Sequence, residues 1–157
     1  MTQVGFGVDV HAFGDEPPVR LLGVVADESR GLAGHSDGDA AAHAVIDALL
    51  GAAGLGDIGM RYPSADPRWA DADSMAMLDE VVSLVQEAGF SIVHVDVTVV
   101  AQDLRVSPVR AAMLDGLTAA LGGGTASIKA TTTDHLGALG RGEGIAVYAI
   151  ATLSYDA

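Results

Sequence analysis

At 157 residues, half of them apolar, the chain has room for one domain with a sizeable core and little room for a second. Eight basic residues against 21 acidic ones leave a net charge of −13, which repels a phosphate backbone and argues against nucleic acid as a partner. The absence of cysteine excludes disulfides and thiolate metal sites, and no apolar run reaches the length of about 18 residues that a membrane span needs.

The opening Met1-Thr2-Gln3-Val4 has neither a basic nor an apolar leader region, so a cytoplasmic location is expected. Val4 to His11 reads as a first strand with Gly5 and Gly7 interleaved, and Val19 to Val25 as a second. A helix is expected over Asp37 to Leu50, capped by Asp37 or Asp39 and ended by Gly51 or Gly54. Its apolar residues run nearly all round, which implies burial. Gly54 to Asp73 has no clear period and reads as a long loop of the kind that often carries function.

Asp73 or Ser74 caps a second helix to Ala88, with Leu78, Val81, Val82 and Val85 as its apolar stripe. Ser91 to Ala101 alternates as a strand: Val93, Val95, Val97 and Val99 on one face, His94, Asp96 and Thr98 on the other. A third helix starts at Ser107-Pro108 and ends at Gly122, followed by strands over Ser127 to Thr132 and Ile145 to Ser154 about a Gly-rich turn. This order predicts an α+β fold in a single domain over 1–157: a two-layer α/β sandwich, one mixed sheet of about five strands with three helices on one face.

Asp9 and His11 are two residues apart at the end of the first strand, hence on the same face and able to converge on one ion. His43, in the first turns of the buried helix, supplies a third ligand. That count suits an open zinc site with one vacant position. Asp39 lies on the same helical face and could orient a histidine from behind. By itself Asp-x-His is a weak pattern, and any one histidine could be a hydrogen-bonded structural residue. Further along, Ala130-Thr131-Thr132-Thr133-Asp134 offers hydroxyls and backbone N–H groups to phosphate oxygens. Asp134 adds a hard ligand for Mg²⁺, and Arg141 a guanidinium among glycines. The same residues also suit an ordinary strand and turn.

Six motifs occur in order: Asp9-Val10-His11; His35-Ser36-Asp37-Gly38-Asp39 with His43 four residues on; Gly54-Leu55-Gly56-Asp57-Ile58-Gly59; Asp96-Val97-Thr98-Val99-Val100-Ala101-Gln102; Lys129-Ala130-Thr131-Thr132-Thr133-Asp134; and Gly140-Arg141-Gly142-Glu143-Gly144-Ile145-Ala146. Together they resemble the methylerythritol cyclodiphosphate synthase family from end to end. The resemblance implies a homotrimer with sheets facing inward and active sites between neighbouring subunits. It implies attack of the 2-phosphate of 4-diphosphocytidyl-2-C-methyl-D-erythritol 2-phosphate on the β-phosphorus, releasing CMP and the 2,4-cyclodiphosphate.

By the same resemblance Asp9, His11 and His43 hold one Zn²⁺ per subunit, and Asp134 contacts Mg²⁺ or Mn²⁺ bound with the diphosphate. His35 and Ser36 hold phosphate. His35 and Thr132 stabilise the transition state. Asp57, Ile58 and Gly59 grip the methylerythritol hydroxyls. Ala101 to Ser107 and Ala130 to Thr132 match the cytidine pocket, with Ala101, Arg105, Val106, Ser107, Ala130, Thr131 and Thr132 as its substrate contacts. Val10, Tyr62, Asp66, Thr133 and Arg141 complete the substrate contacts. Asp134 stands where a Glu is common, one methylene longer. The alternatives are a zinc/magnesium phosphohydrolase acting on nucleoside diphosphates, and a non-catalytic metal-stabilised trimer. Few large aromatics are available as anchors, which counts against the latter as an interaction module.

Overall fold

The computed structural model describes residues 1–34, 37–69 and 72–155. Its first strand, β1 (Thr2–Gly14), is followed by a short hairpin of β2 (Val19–Leu21) and β3 (Val24–Asp27), then β4 (Gly31–Leu32) and the long helix α1 (Ala40–Ala53). The one-turn helix α2 (Ile58–Arg61) and a 3₁₀ turn at Pro67–Trp69 precede α3 (Ser74–Glu87) and β5 (Ser91–Val100). The chain ends with α4 (Arg110–Ala120), β6 (Thr125–Thr131), the one-turn α5 (Gly137–Gly140) and β7 (Gly144–Ser154).

The main sheet has five strands in the order β4-β1-β7-β5-β6. Only β5 and β6 run parallel; the other neighbours are antiparallel. The sheet is therefore mixed, with α1, α3 and α4 packed on it as the second layer. Ile46, Leu49 and Leu50 of α1, Leu78 and Val85 of α3, Val95, Val97 and Val99 of β5, and Ile145 and Val147 of β7 are all fully buried between the layers.

The closest packing is between β1 and α1. Odd-numbered residues of β1 face the helix. A Cβ at Gly5 would lie 2.0 Å from the Ala48 carbonyl oxygen, and one at Gly7 would lie 2.0 Å from that of Ala44. The helix meets β1 with alanines, so backbone rests almost directly on backbone. Asp39 caps α1 by accepting from Ala42 N, and Gly54 ends it in the left-handed conformation that glycine adopts without penalty.

Several expected boundaries move. Val19 to Val25 is not one strand. It turns at Leu22 and Gly23, both at positive φ, to form a hairpin outside the main sheet. The carboxylate of Asp39 accepts from both turn N–H groups, at 2.9 and 2.7 Å, and this long-range anchor is what holds Leu22 in an uncommon conformation. The fifth strand of the sheet is instead the two-residue β4. The third main helix starts at Arg110, three residues after Ser107, with no side chain capping it. The 54–73 loop contains a one-turn helix and a 3₁₀ turn. On β5 the register shifts between Ile92 and His94, so Ile92 is buried and Val93 exposed, against the simple alternation.

The other face of the sheet carries Val4, Phe6, Val8 and Val10 of β1 beside Tyr148 and Ile150 of β7, all exposed. Phe6 is 62% exposed and stacks on Tyr148 with ring centroids 6.1 Å apart. Across β5 and β6 the same face turns polar. There His94 meets Thr125 at 2.7 Å, and Asp96 binds both Ser127 and Lys129.

Gly7→Ala forces a methyl group into the α1 backbone. We expect it to cost about 3 kcal/mol, toward the upper end of ordinary overpacking, measured by urea unfolding.

Candidate active site and metal centre

The inward face of β1 that begins with Gly5 and Gly7 continues with Asp9 and His11. Moving two residues at a time along β1 moves one turn toward the N-terminus of α1, where His43 lies. The ligand atoms of Asp9, His11 and His43 thus come within 4.8 Å of one another. His11 Nε2 is 2.8 Å and His43 Nδ1 is 3.1 Å from the same oxygen, Oδ2 of Asp9. The outer nitrogen of each ring is also engaged: His11 Nδ1 lies 2.6 Å from the Ala33 carbonyl and His43 Nε2 lies 2.8 Å from Ser74 Oγ.

Burial raises the pKa of Asp9, but hydrogen bonds and charge from the two histidines outweigh it and bring the group down to about 2. His11 is shifted up, chiefly by its hydrogen bond to Asp9, against the opposing effect of burial. One carboxylate and two imidazoles, with both rings oriented by outer partners, are the donor set of a three-ligand divalent site with an open position. The residues fit a zinc-type ion.

A cavity of about 270 Å³ opens beside this triad, lined by His11, His43, Ile58, Gly59, Tyr62 and Trp69 among others. Asp57 caps α2 through Met60 N at 2.8 Å. Asp47 of α1 accepts from Ile58 N at 2.7 Å, which ties the 57–59 segment to the helix that carries His43. Burial, the largest effect on Asp47, raises its pKa. Tyr62 and Trp69 meet edge to face at 4.9 Å and form an aromatic wall. Burial and then Glu80 push the Tyr62 hydroxyl up to about 12. The buried Trp69 indole N–H has no acceptor among the described residues.

A second cavity, of about 310 Å³, gathers Ala101, Arg105, Val106, Ser107, Ala130, Thr131 and Thr132, together with Gln102, Leu104 and Pro108. Of the stretches expected around cytidine, 101–107 and 130–132, every residue but Asp103 lines it. Thr132 Oγ1 accepts from Asp134 N at 3.2 Å, and Thr133 Oγ1 donates to the Leu136 carbonyl. Asp134 is exposed, with φ of 53°, and lines neither cavity.

Other expected residues fall elsewhere. The side chain of Val10 is on the opposite face of the sheet. Asp66 pairs with Arg68 and Arg141 with Glu143, and none of the four lines either cavity. Asp39 is fully buried and spends its carboxylate on the N–H groups of Leu22, Gly23 and Ala42; Ser74 takes the place behind His43 that Asp39 was expected to fill. His35 and Ser36 lie outside the described residues. Trp69, Met77, Asp47 and Ser74 went unnoticed as site residues. Of these only Ser74 carried a sequence signal, as a possible helix cap.

The family model described as the YgbB family matches residues 2–154. The chain belongs to the YgbB family. A 2-C-methyl-D-erythritol 2,4-cyclodiphosphate synthase of Symbiobacterium thermophilum is 49% identical over 153 residues, 96% of this chain and 98% of that protein. The bifunctional enzyme IspD/IspF of Nitratiruptor sp. is 48% identical over 155 residues; the alignment takes in 98% of this chain and spans 42% of that longer protein. Among solved structures, the bifunctional IspDF of Campylobacter jejuni superposes with a TM-score of 0.94 at 41% identity, covering 99% of this chain and 43% of that one. IspF of Plasmodium falciparum, solved as a CDP complex, gives 0.85 at 27% identity, covering 99% and 97%. The YgbB family is thus that of the cyclodiphosphate synthases, as the six motifs imply, and its relatives share the five-stranded sheet and helical layer described above.

His43→Ala removes the only helical ligand of the triad. We expect stoichiometric zinc binding, measured by calorimetric titration, to be lost while the circular dichroism spectrum stays that of the folded chain.

Proposed function

We propose that this chain, as one domain over 1–157 working in the cytoplasm, converts 4-diphosphocytidyl-2-C-methyl-D-erythritol 2-phosphate to the 2,4-cyclodiphosphate and CMP. A 2-phosphate oxygen forms a bond to the β-phosphorus, and the bond from that phosphorus to the oxygen bridging it to the α-phosphate breaks. CMP departs with that oxygen, and no water is consumed. The nucleophile is already anionic, so no strong base is needed, and catalysis reduces to positioning and neutralisation of charge.

The observation that carries this reading is the convergence of Asp9, His11 and His43 beside a cavity edged by Ile58 and Gly59. Zinc held there, and magnesium or manganese held by Asp134 with the diphosphate, supplies the positive charge that a −13 chain lacks. The 57–59 segment, pinned by Asp47, orients the methylerythritol portion, and Trp69 offers its indole N–H to a polar group there. The residues around the second cavity hold cytidine, and the Thr132 hydroxyl at its edge faces the phosphates. His35 and Ser36 hold phosphate by the same family resemblance.

The two cavities support a shared site. β1, β5 and β6 all point the same way, so both cavities open at one end of the sheet. They flank opposite margins, however, with β1 and β6 three strand spacings apart, roughly 14 Å. A homotrimer with its sheets facing inward brings the cytidine cavity of one copy beside the metal centre of the next and covers the apolar face of Val4, Phe6, Val8, Tyr148 and Ile150. No helix among the described residues is long and apolar enough to cross a membrane.

Incubation with the diphosphocytidyl substrate, zinc and magnesium in ¹⁸O-water is expected to give phosphorus resonances of a cyclic diphosphate and CMP without ¹⁸O. Label in the products would indicate a hydrolase instead. Asp134→Ala is expected to raise the magnesium requirement about tenfold in a metal titration of turnover, equivalent to about 1.4 kcal/mol. Phe6→Asp places a charge on the apolar face. It is expected to shift the sedimenting species from trimer to monomer and to abolish turnover, because neither cavity suffices alone.

A further inference from the structure

Ser74, the outer partner of His43, is a fully buried polar residue at the start of α3. Its hydroxyl lies 2.8 Å from His43 Nε2 and also hydrogen-bonds to Asp37 Oδ1. Its backbone N–H donates to the other oxygen of the same carboxylate, at 3.1 Å. Asp37 and Ser74 are thus joined by two parallel hydrogen bonds, and the single proton of the hydroxyl has one destination. An ionised carboxylate only accepts, so Ser74 must donate to Asp37 and can only accept from the imidazole.

That assignment puts a proton on Nε2 of His43. In the neutral ring that a metal ligand requires, Nδ1, 3.1 Å from Asp9 Oδ2, is then left with its lone pair for the ion. His11 is arranged in the same sense: Nδ1–H donates to the Ala33 carbonyl and Nε2 faces the same carboxylate oxygen. With both rings neutral, two lone pairs and a carboxylate oxygen converge on one point, where a divalent ion replaces the ring protons that otherwise bridge to Asp9.

Resting on the metal-centre reading above, we propose that Ser74, held by Asp37, is a positioning residue that fixes the tautomer and ring angle of His43 and so sets the affinity of the Asp9-His11-His43 site for a divalent ion. The arrangement extends the usual carboxylate–histidine–metal support by one hydroxyl. It also explains why the first residue of α3 is a buried serine although Asp73 already caps the helix through Met75 N and Ala76 N.

The test measures zinc affinity by competition with a chelating dye, independent of turnover, on the full-length protein. Ser74→Ala removes the hydroxyl acceptor of Nε2–H and is expected to weaken binding by roughly 10–100-fold, the usual effect of losing an outer partner. Ser74→Thr keeps the hydroxyl and is expected to stay within about threefold of the parent on the same scale. Asp37→Asn is the sharper variant, since it keeps the volume. The Ser74 backbone N–H claims its amide oxygen, so its NH₂ turns to the hydroxyl. The hydroxyl proton is then forced toward His43 Nε2, and the ring proton moves to the nitrogen the ion needs. Binding is expected to fall at least as far as in Ser74→Ala.

In the zinc-loaded parent, NMR should show a His43 Nε2–H protected from solvent exchange; this observation needs no variant to fold. Parent-like zinc affinity in either Ser74→Ala or Asp37→Asn, or rapid exchange of that ring proton in the parent, would overturn the inference and leave the proposed reaction standing. Failure of the parent to bind zinc would overturn the metal centre, and this inference with it.

Discussion

The structure depends on how close α1 comes to β1. Gly5 and Gly7 give up their side chains, Ala44 and Ala48 meet them with methyl groups, and the helix backbone settles onto the strand. The next two inward positions of β1 then fall level with the first turns of the helix, and there the residues change from glycine to Asp9 and His11, facing His43. Side chains of ordinary size at positions 5 and 7 would lift the helix away by more than the reach of a metal–ligand bond of about 2.1 Å tolerates. Packing and the candidate metal centre are therefore one arrangement: the glycines set the distance that the ligands use.

Electrostatics runs through the same point. The chain is strongly acidic, and the carboxylates nearest the site are not left as free charge. Asp9 is shared by two imidazoles, Asp39 is spent on three backbone N–H groups, Asp37 is fastened to Ser74, and Asp47 accepts from Ile58 N. The last three each anchor a different segment: the β2–β3 turn, the start of α3, and the loop that leads into α2. Acidic residues that would repel an anionic substrate serve instead as acceptors for the backbone that shapes its cavity. In the proposed reaction, positive charge for the phosphates falls to divalent ions, which is consistent with a triad of neutral and anionic donors and only one lysine in the chain.

Much of the architecture was legible because it follows local rules. The strands at β1 and β7, the all-round apolar α1, the Leu78-Val81-Val82-Val85 stripe of α3 and the caps at Asp39, Gly54 and Asp73 each follow from residue type and spacing. The hairpin at Leu22 did not, because a leucine at positive φ contradicts local preference and is held there by Asp39, 17 residues away. The shift at Val93 was hidden because a bulge leaves no mark on a run of valines. The late start of α4 reflects a helix that begins without a capping side chain at all.

The residue types and order of the chain by themselves determined the fold class and the three triad residues, and through the family resemblance most of the residues around the second cavity, since motifs carry identity and strands carry a period of two. Only the tertiary structure decided what stands behind those residues. Ser74 came to support His43 where Asp39 was expected, Trp69 and Met77 became a cavity wall, and Val10 turned to the opposite face. The reason is physical: spacing tells which side chains share a face of their own element, but a hydrogen bond between residues 31 positions apart exists only once two helices have packed.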